Sequence, residues 1–172
     1  MSDDFLQTAI DLFNQGDIDG AIAHLESKLS DNPDNAQVHH MYAEFANMKN
    51  SEAQEDVIPG RKIMMMYKKA MELDEENMEY IADFAAFALE CRRIPVAVKE
   101  FQRYARRLEL EDIPVDEILF TASRNIVDAI EVMDPSKKNP MVQPWLQQAL
   151  IWAVGGLGYS KDEAIEMITR EI

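Results

Sequence analysis

Apolar residues recur three and four positions apart along most of this chain, the spacing of one buried helix face. Phe5, Ala9 and Leu12 share such a face, and Gly16-Asp17 interrupts it with a residue that tolerates a left-handed turn and one that caps a new helix. Ala21, Ile22, Leu25 and Leu29 form the next face, which Asn32-Pro33 ends, with Asp34-Asn35 offering a cap for a third helix. Tyr42, Ala43 and Ala46 mark that third helix. Ile63, Tyr67, Ala70 and Leu73 mark a fourth that opens near Pro59. A fifth carries Ile81, Phe84, Ala85 and Ala88, and a sixth carries Ala97 and Phe101. Beyond Pro114 lies a broad apolar face of Ile118, Leu119, Ala122, Ile126, Ala129, Ile130 and Met133, closed by Asp134-Pro135. After the linker at 136–140, a helix is predicted over about Val142–Val154. Ser160-Lys161-Asp162-Glu163 then reads as a capping box that starts the last helix. No segment alternates with the period of a strand, so the predicted class is all-α.

Composition sharpens this picture. The chain has 172 residues, about half of them apolar and only six of them glycine, enough for one folded domain with a real core. The formal net charge is −15, which argues against grasping nucleic acid through its phosphates and against anionic membrane surfaces. Residues 1–35 carry eight acids against one base, whereas residues 78–112 carry seven against six, so the negative charge concentrates toward the start of the chain. The single cysteine, Cys91, fits a reducing compartment and, from its apolar run, a buried position. No apolar run reaches membrane-spanning length and Met1–Asp4 lacks a signal-peptide pattern, so the expected location is cytoplasmic.

Phe5, Ala9, Leu12, Gly16, Ala21, Leu25, Leu29 and Pro33 fall where tetratricopeptide repeats prefer bulky, small, bulky, Gly, Ala, bulky, Leu and Pro. The chain resembles that family over about residues 3–110, in three units that begin near Asp3, Ala36 and Met78. The second unit departs from the pattern with a long acidic connection at 50–58, read as a solvent loop or a partner contact. The third departs with Arg92-Arg93 in place of the glycine turn. The resemblance implies an α-solenoid of about three helix pairs over 1–112, closed by a C-terminal helical cap over 113–172.

It also implies a non-enzymatic protein–protein interaction module, an adaptor or chaperone-like protein, with no cofactor and no metal. In the family, ligands lie on the face built by the first helix of each pair. Carried over, that face holds Leu6, Gln7, Ile10, Phe13 and Asn14 from the first unit. The second unit supplies Gln37, His40, Met41, Glu44, Asn47 and Met48, and the third Glu79, Asp83, Ala86, Leu89 and Glu90. Such an acidic and apolar lining suits an amphipathic partner segment with basic residues. Two other readings stay open: a self-assembling scaffold, with the chain as a homo-oligomer, and an acidic inhibitor that mimics nucleic acid in the manner of viral counter-defence proteins.

Catalytic chemistry finds little support in the residues. His24, His39 and His40 are the only histidines and show no zinc-binding spacing, with His39 read as a packing residue. Gly155–Lys161 is glycine-rich but follows a helix and lacks the Gly-Lys-Ser/Thr ending of a phosphate loop. Lys99, Arg103, Arg106 and Arg107 form a basic stripe, either neutralised by Glu100, Glu109, Glu111 and Asp112 or free to meet an acidic segment. Met64-Met65-Met66 cannot all point inward, so at least one reaches a helix edge or the surface.

Overall fold

The computed structural model describes residues 4–170, without the side chains of Asp4 and Arg170. It contains nine α-helices and no strand among those residues. They are α1 (Asp4–Asn14), α2 (Ile18–Asp31), α3 (Ala36–Ala53), α4 (Gly60–Leu73), α5 (Met78–Glu90), α6 (Ile94–Leu110), α7 (Glu117–Met133), α8 (Gln143–Gly155) and α9 (Lys161–Arg170). None of them is long and apolar enough to cross a membrane. Two compact units divide the chain, residues 1–80 and residues 81–172, so the C-terminal helices belong to one unit with α6.

In the first unit α1 packs on α2, α2 on α3 and α3 on α4. Ala9, Ala21, Ala43, Ala46 and Ala70 are fully buried, the small side chains that let helix axes approach closely. Leu25, Tyr42 and Ile63 fill the space between them. Asp17 caps α2 by accepting from Gly20 N at 2.8 Å, and Asn35 caps α3 by accepting from Val38 N at 3.0 Å. The acidic connection after α3 is partly helical, since α3 continues to Ala53. Asn50 then closes the remaining loop, its side-chain amide donating to Ile58 O at 2.7 Å and accepting from Ile58 N at 2.8 Å.

In the second unit α6 packs on α7 and α8, α7 on α8, and α8 on α9. Phe101 meets Trp152 edge-on at 6.4 Å between ring centres, joining α6 to α8. Asp116 caps α7 through Leu119 N at 3.0 Å. The predicted capping box is present: Ser160 N and Oγ donate to Glu163 Oε2 at 2.9 and 2.8 Å, and Glu163 N returns a bond to Ser160 Oγ. The same two donors hold the Glu163 carboxyl below its ordinary range: first the Ser160 N–H, then the Ser160 hydroxyl.

One turn geometry occurs within both units. At the end of α1, Gly16 adopts φ +82°, with Gly16 N bonded to Phe13 O and Asp17 N to Leu12 O. At the end of α5, Arg92 adopts φ +57°, with Arg92 N bonded to Leu89 O and Arg93 N to Ala88 O. Both are the paired closing bonds of a left-handed helix cap. Arginine thus occupies the conformation that glycine occupies in the first unit. Cys91 lies in this turn and is exposed, which corrects the expectation of a buried thiol. The apolar run that contained it ends with the helix one residue earlier.

Candidate functional site

The residues predicted to face a partner fall into three groups. Leu6 and His40 are only 5 % and 6 % exposed and belong to helix packing instead. His40 lies against two rings, 4.5 Å from Tyr80 and 5.8 Å from Tyr67 between ring centres, with Nδ1 3.5 Å from Glu44. Phe13 stacks flat on Phe45 at 4.6 Å, a contact that ties α1 to α3. These ring contacts draw Phe13 and His40, on the flank of the expected surface, into packing within the first unit. Gln7, Asn14, Gln37, Met48 and Glu79 are exposed, and Ile10, Met41, Glu44 and Asn47 are half-buried. They remain accessible on the first unit.

The third group does line one. Asp83, Ala86, Leu89 and Glu90 form one wall of a groove of about 530 Å³ within the second unit. Phe101 of α6 contributes to its lining, and α7 builds the opposite wall. On α5, Ala82, Ala86 and Leu89 are four and three residues apart. On α7, Ile118, Ala122, Asn125 and Ala129 follow the spacing four, three, four. Each wall therefore offers one continuous helical stripe. Residues 118–129 extend about 16 Å along α7, or roughly three turns.

Four carboxylates flank the stripes, Asp83 and Glu90 on α5 and Glu117 and Asp128 on α7, and among the described residues no lysine, arginine or histidine lines the groove. Glu117 and Asp128 make no ion pair among the described residues. Ile118 stands 43 % exposed at the rim. The site is an apolar trough with negative edges.

The contribution of α7 lay outside the sequence expectation, which assigned its whole apolar face to a terminal cap. The signal was its breadth. Leu119, Ala122, Ile126 and Ile130 are buried, but Ile118 and Ala129 lie beyond that stripe and turn toward the groove.

The residues weighed for chemistry have structural duties. His24 Nε2 donates to Phe5 O at 3.0 Å and holds α2 to α1. His39 is buried and donates from Nε2 to Pro33 O at 2.8 Å, with Met66 Sδ 3.2 Å from Nδ1. Met65 is the exposed member of its methionine run, while Met64 and Met66 are half-buried. In the glycine-rich loop, a Cβ on Gly155 would lie 2.8 Å from Val115 Cγ2, and one on Gly156 would lie 2.5 Å from Phe120 Cδ2. Those two glycines allow α8 to end against the start of α7. Gly158 adopts φ +93°. No protein-family model matches the chain, and no curated protein sequence matches it either.

Proposed function

We propose that this chain is a helical-repeat interaction module of the tetratricopeptide type, with the α5–α7 groove holding one amphipathic helix of another protein. The observation that carries the reading is the pairing of two apolar helical stripes with four flanking carboxylates and no lining cation. A helix of about three turns fits such a trough with its apolar face down. Lysine or arginine on its shoulders would meet Glu117 and Asp128. The shared left-handed turns at Gly16 and Arg92 support a repeated helix pair, since each joins the two members of a pair with the same bonds. The role is that of an adaptor or chaperone-like protein acting by binding alone.

A short amphipathic Leu/Lys peptide is the probe. It should bind the full chain, and binding should weaken as salt rises, because exposed charge pairs are screened. Ile118→Asp and Ala86→Trp should each weaken binding about tenfold or more, and both sites are exposed enough for the fold to survive. Equal binding of a Leu/Glu peptide, or unchanged binding by both variants, would overturn the proposal.

A further inference from the structure

The second unit contains another cleft, of about 580 Å³, with electrostatics of the opposite sign. Leu108, Leu119 and Trp152 are its buried apolar residues, and Ile151 and Tyr159 also line it. Two bonds cross it. Gln102 Nε2 on α6 donates to Gln148 Oε1 on α8 at 3.2 Å, and Lys161 Nζ on α9 donates to Glu109 Oε1 on α6 at 3.2 Å.

Residues 102 and 109 are seven positions apart on α6, so these crossings frame a window about 10 Å long. A helix, itself about 10 Å thick, needs a trough open at its ends and cannot lie through such a frame. A small molecule can enter it, and the volume falls within the range of small-molecule sites, roughly 300–1,000 Å³.

Arg106 sits on α6 between the two crossings and lines the same cleft. It makes no ion pair among the described residues. Among the described residues Glu109 is the one carboxylate in the lining, and Lys161 already engages it. Of the other arms of the basic stripe, Lys99 and Arg103 flank the buried Glu100 at 3.5 and 3.9 Å, and Arg107 does not line the cleft. Arg106 is therefore the cation left facing this partly apolar cleft in a strongly acidic protein.

We infer that this cleft binds a small apolar molecule bearing one anionic group, the apolar body against Trp152 and Leu119 and the anion on Arg106. The site is distinct from the peptide groove, and neither depends on the other.

Two dyes that differ only by a sulfonate test it: 8-anilinonaphthalene-1-sulfonate and N-phenyl-1-naphthylamine. The sulfonate should bind at one site and quench tryptophan emission by energy transfer, because both tryptophans, Trp145 and Trp152, lie in α8. Arg106→Gln should weaken the sulfonate about tenfold and change the neutral dye less than about twofold. Ala105→Trp, which fills the cleft wall, should remove both, while Ala86→Trp in the peptide groove should leave both intact. Equal affinity for the two dyes, or a sulfonate unaffected by Arg106→Gln, would overturn the inference. Should Ala105→Trp fail to fold, amide shifts in the unaltered protein decide: changes at Gly155, Gly158 and Ser160 support the cleft, and changes confined to α5 or the first unit refute it.

Discussion

Tyr104 donates its phenolic hydrogen to Asp116 Oδ2 at 2.6 Å, while the other oxygen of the same carboxylate caps α7. One side chain thus fixes both the start of α7 and its attachment to α6. Burial first, and then this bond to a carboxylate, push the Tyr104 hydroxyl far above its ordinary value of 10.0. The folded state keeps a proton that the unfolded state releases above about pH 10, so stability falls as pH rises beyond that point. Tyr104→Phe should cost about 1–2 kcal/mol at pH 7. It should also flatten the loss of stability between about pH 10 and 11.5. Urea titrations at several pH values would check both.

Glu26 gives the opposite sign in the first unit. It accepts from Lys62 Nζ at 2.7 Å and from the Tyr42 hydroxyl at 3.0 Å. The Lys62 bond is the chief reason its carboxyl lies below the ordinary 4.5. Its contribution is present above about pH 4.5 and disappears as pH falls through the folded value. Because Glu26 is about half exposed, Glu26→Gln should cost only a few tenths of a kcal/mol at neutral pH. At pH 3 the variant and the parent should melt together.

The two left-handed turns predict substitutions of opposite effect. Gly16→Val places a β-branched residue at φ +82°, where no neighbour crowds it but the backbone itself is strained, and should cost about 1–2 kcal/mol. Arg92→Gly relieves the corresponding strain and should raise stability by about 0.5 kcal/mol, after the added freedom of the unfolded chain is counted. Thermal melts of the two variants should move in opposite directions.

Gly156→Ala should destabilise by about 1–3 kcal/mol, since its methyl group would meet the Phe120 ring. Combining it with Phe120→Leu should cost less than the sum of the two single changes, measured as a double-mutant cycle.

The sequence made the helix boundaries legible where local chemistry decides them. Gly16, Asp17, Asn35 and the Ser160–Glu163 box act through bonds to residues within a few positions, so each could be read without knowing the fold. Arg92 was harder, because a non-glycine residue in a left-handed turn has no sequence mark. Leu6 and His40 were expected on an open face and are buried, and Phe13 is half-buried, for a different reason. Periodicity identifies a helix face but does not say how many neighbouring helices cover its flanks, and Phe13 is covered by Phe45, more than thirty residues away. The acidic wall of α7 needed the same long-range information. Asp83, Ala86, Leu89 and Glu90 were correctly gathered on one side of their helix, but nothing local to them names Ile118 and Asp128 as the facing wall.

Asn50 has a practical consequence for those experiments. Its single amide joins both backbone groups of Ile58, so the connection from α3 to α4 is cinched at its base, and residues 54–57 form an exposed loop after the end of α3. Lengthening a surface loop costs free energy only logarithmically in its length. A fluorophore, an affinity tag or a small guest domain spliced between Glu55 and Asp56 should leave the helices on either side in place. The protein thus has a handle in its first unit by which the full chain can be immobilised or labelled for the titrations proposed above.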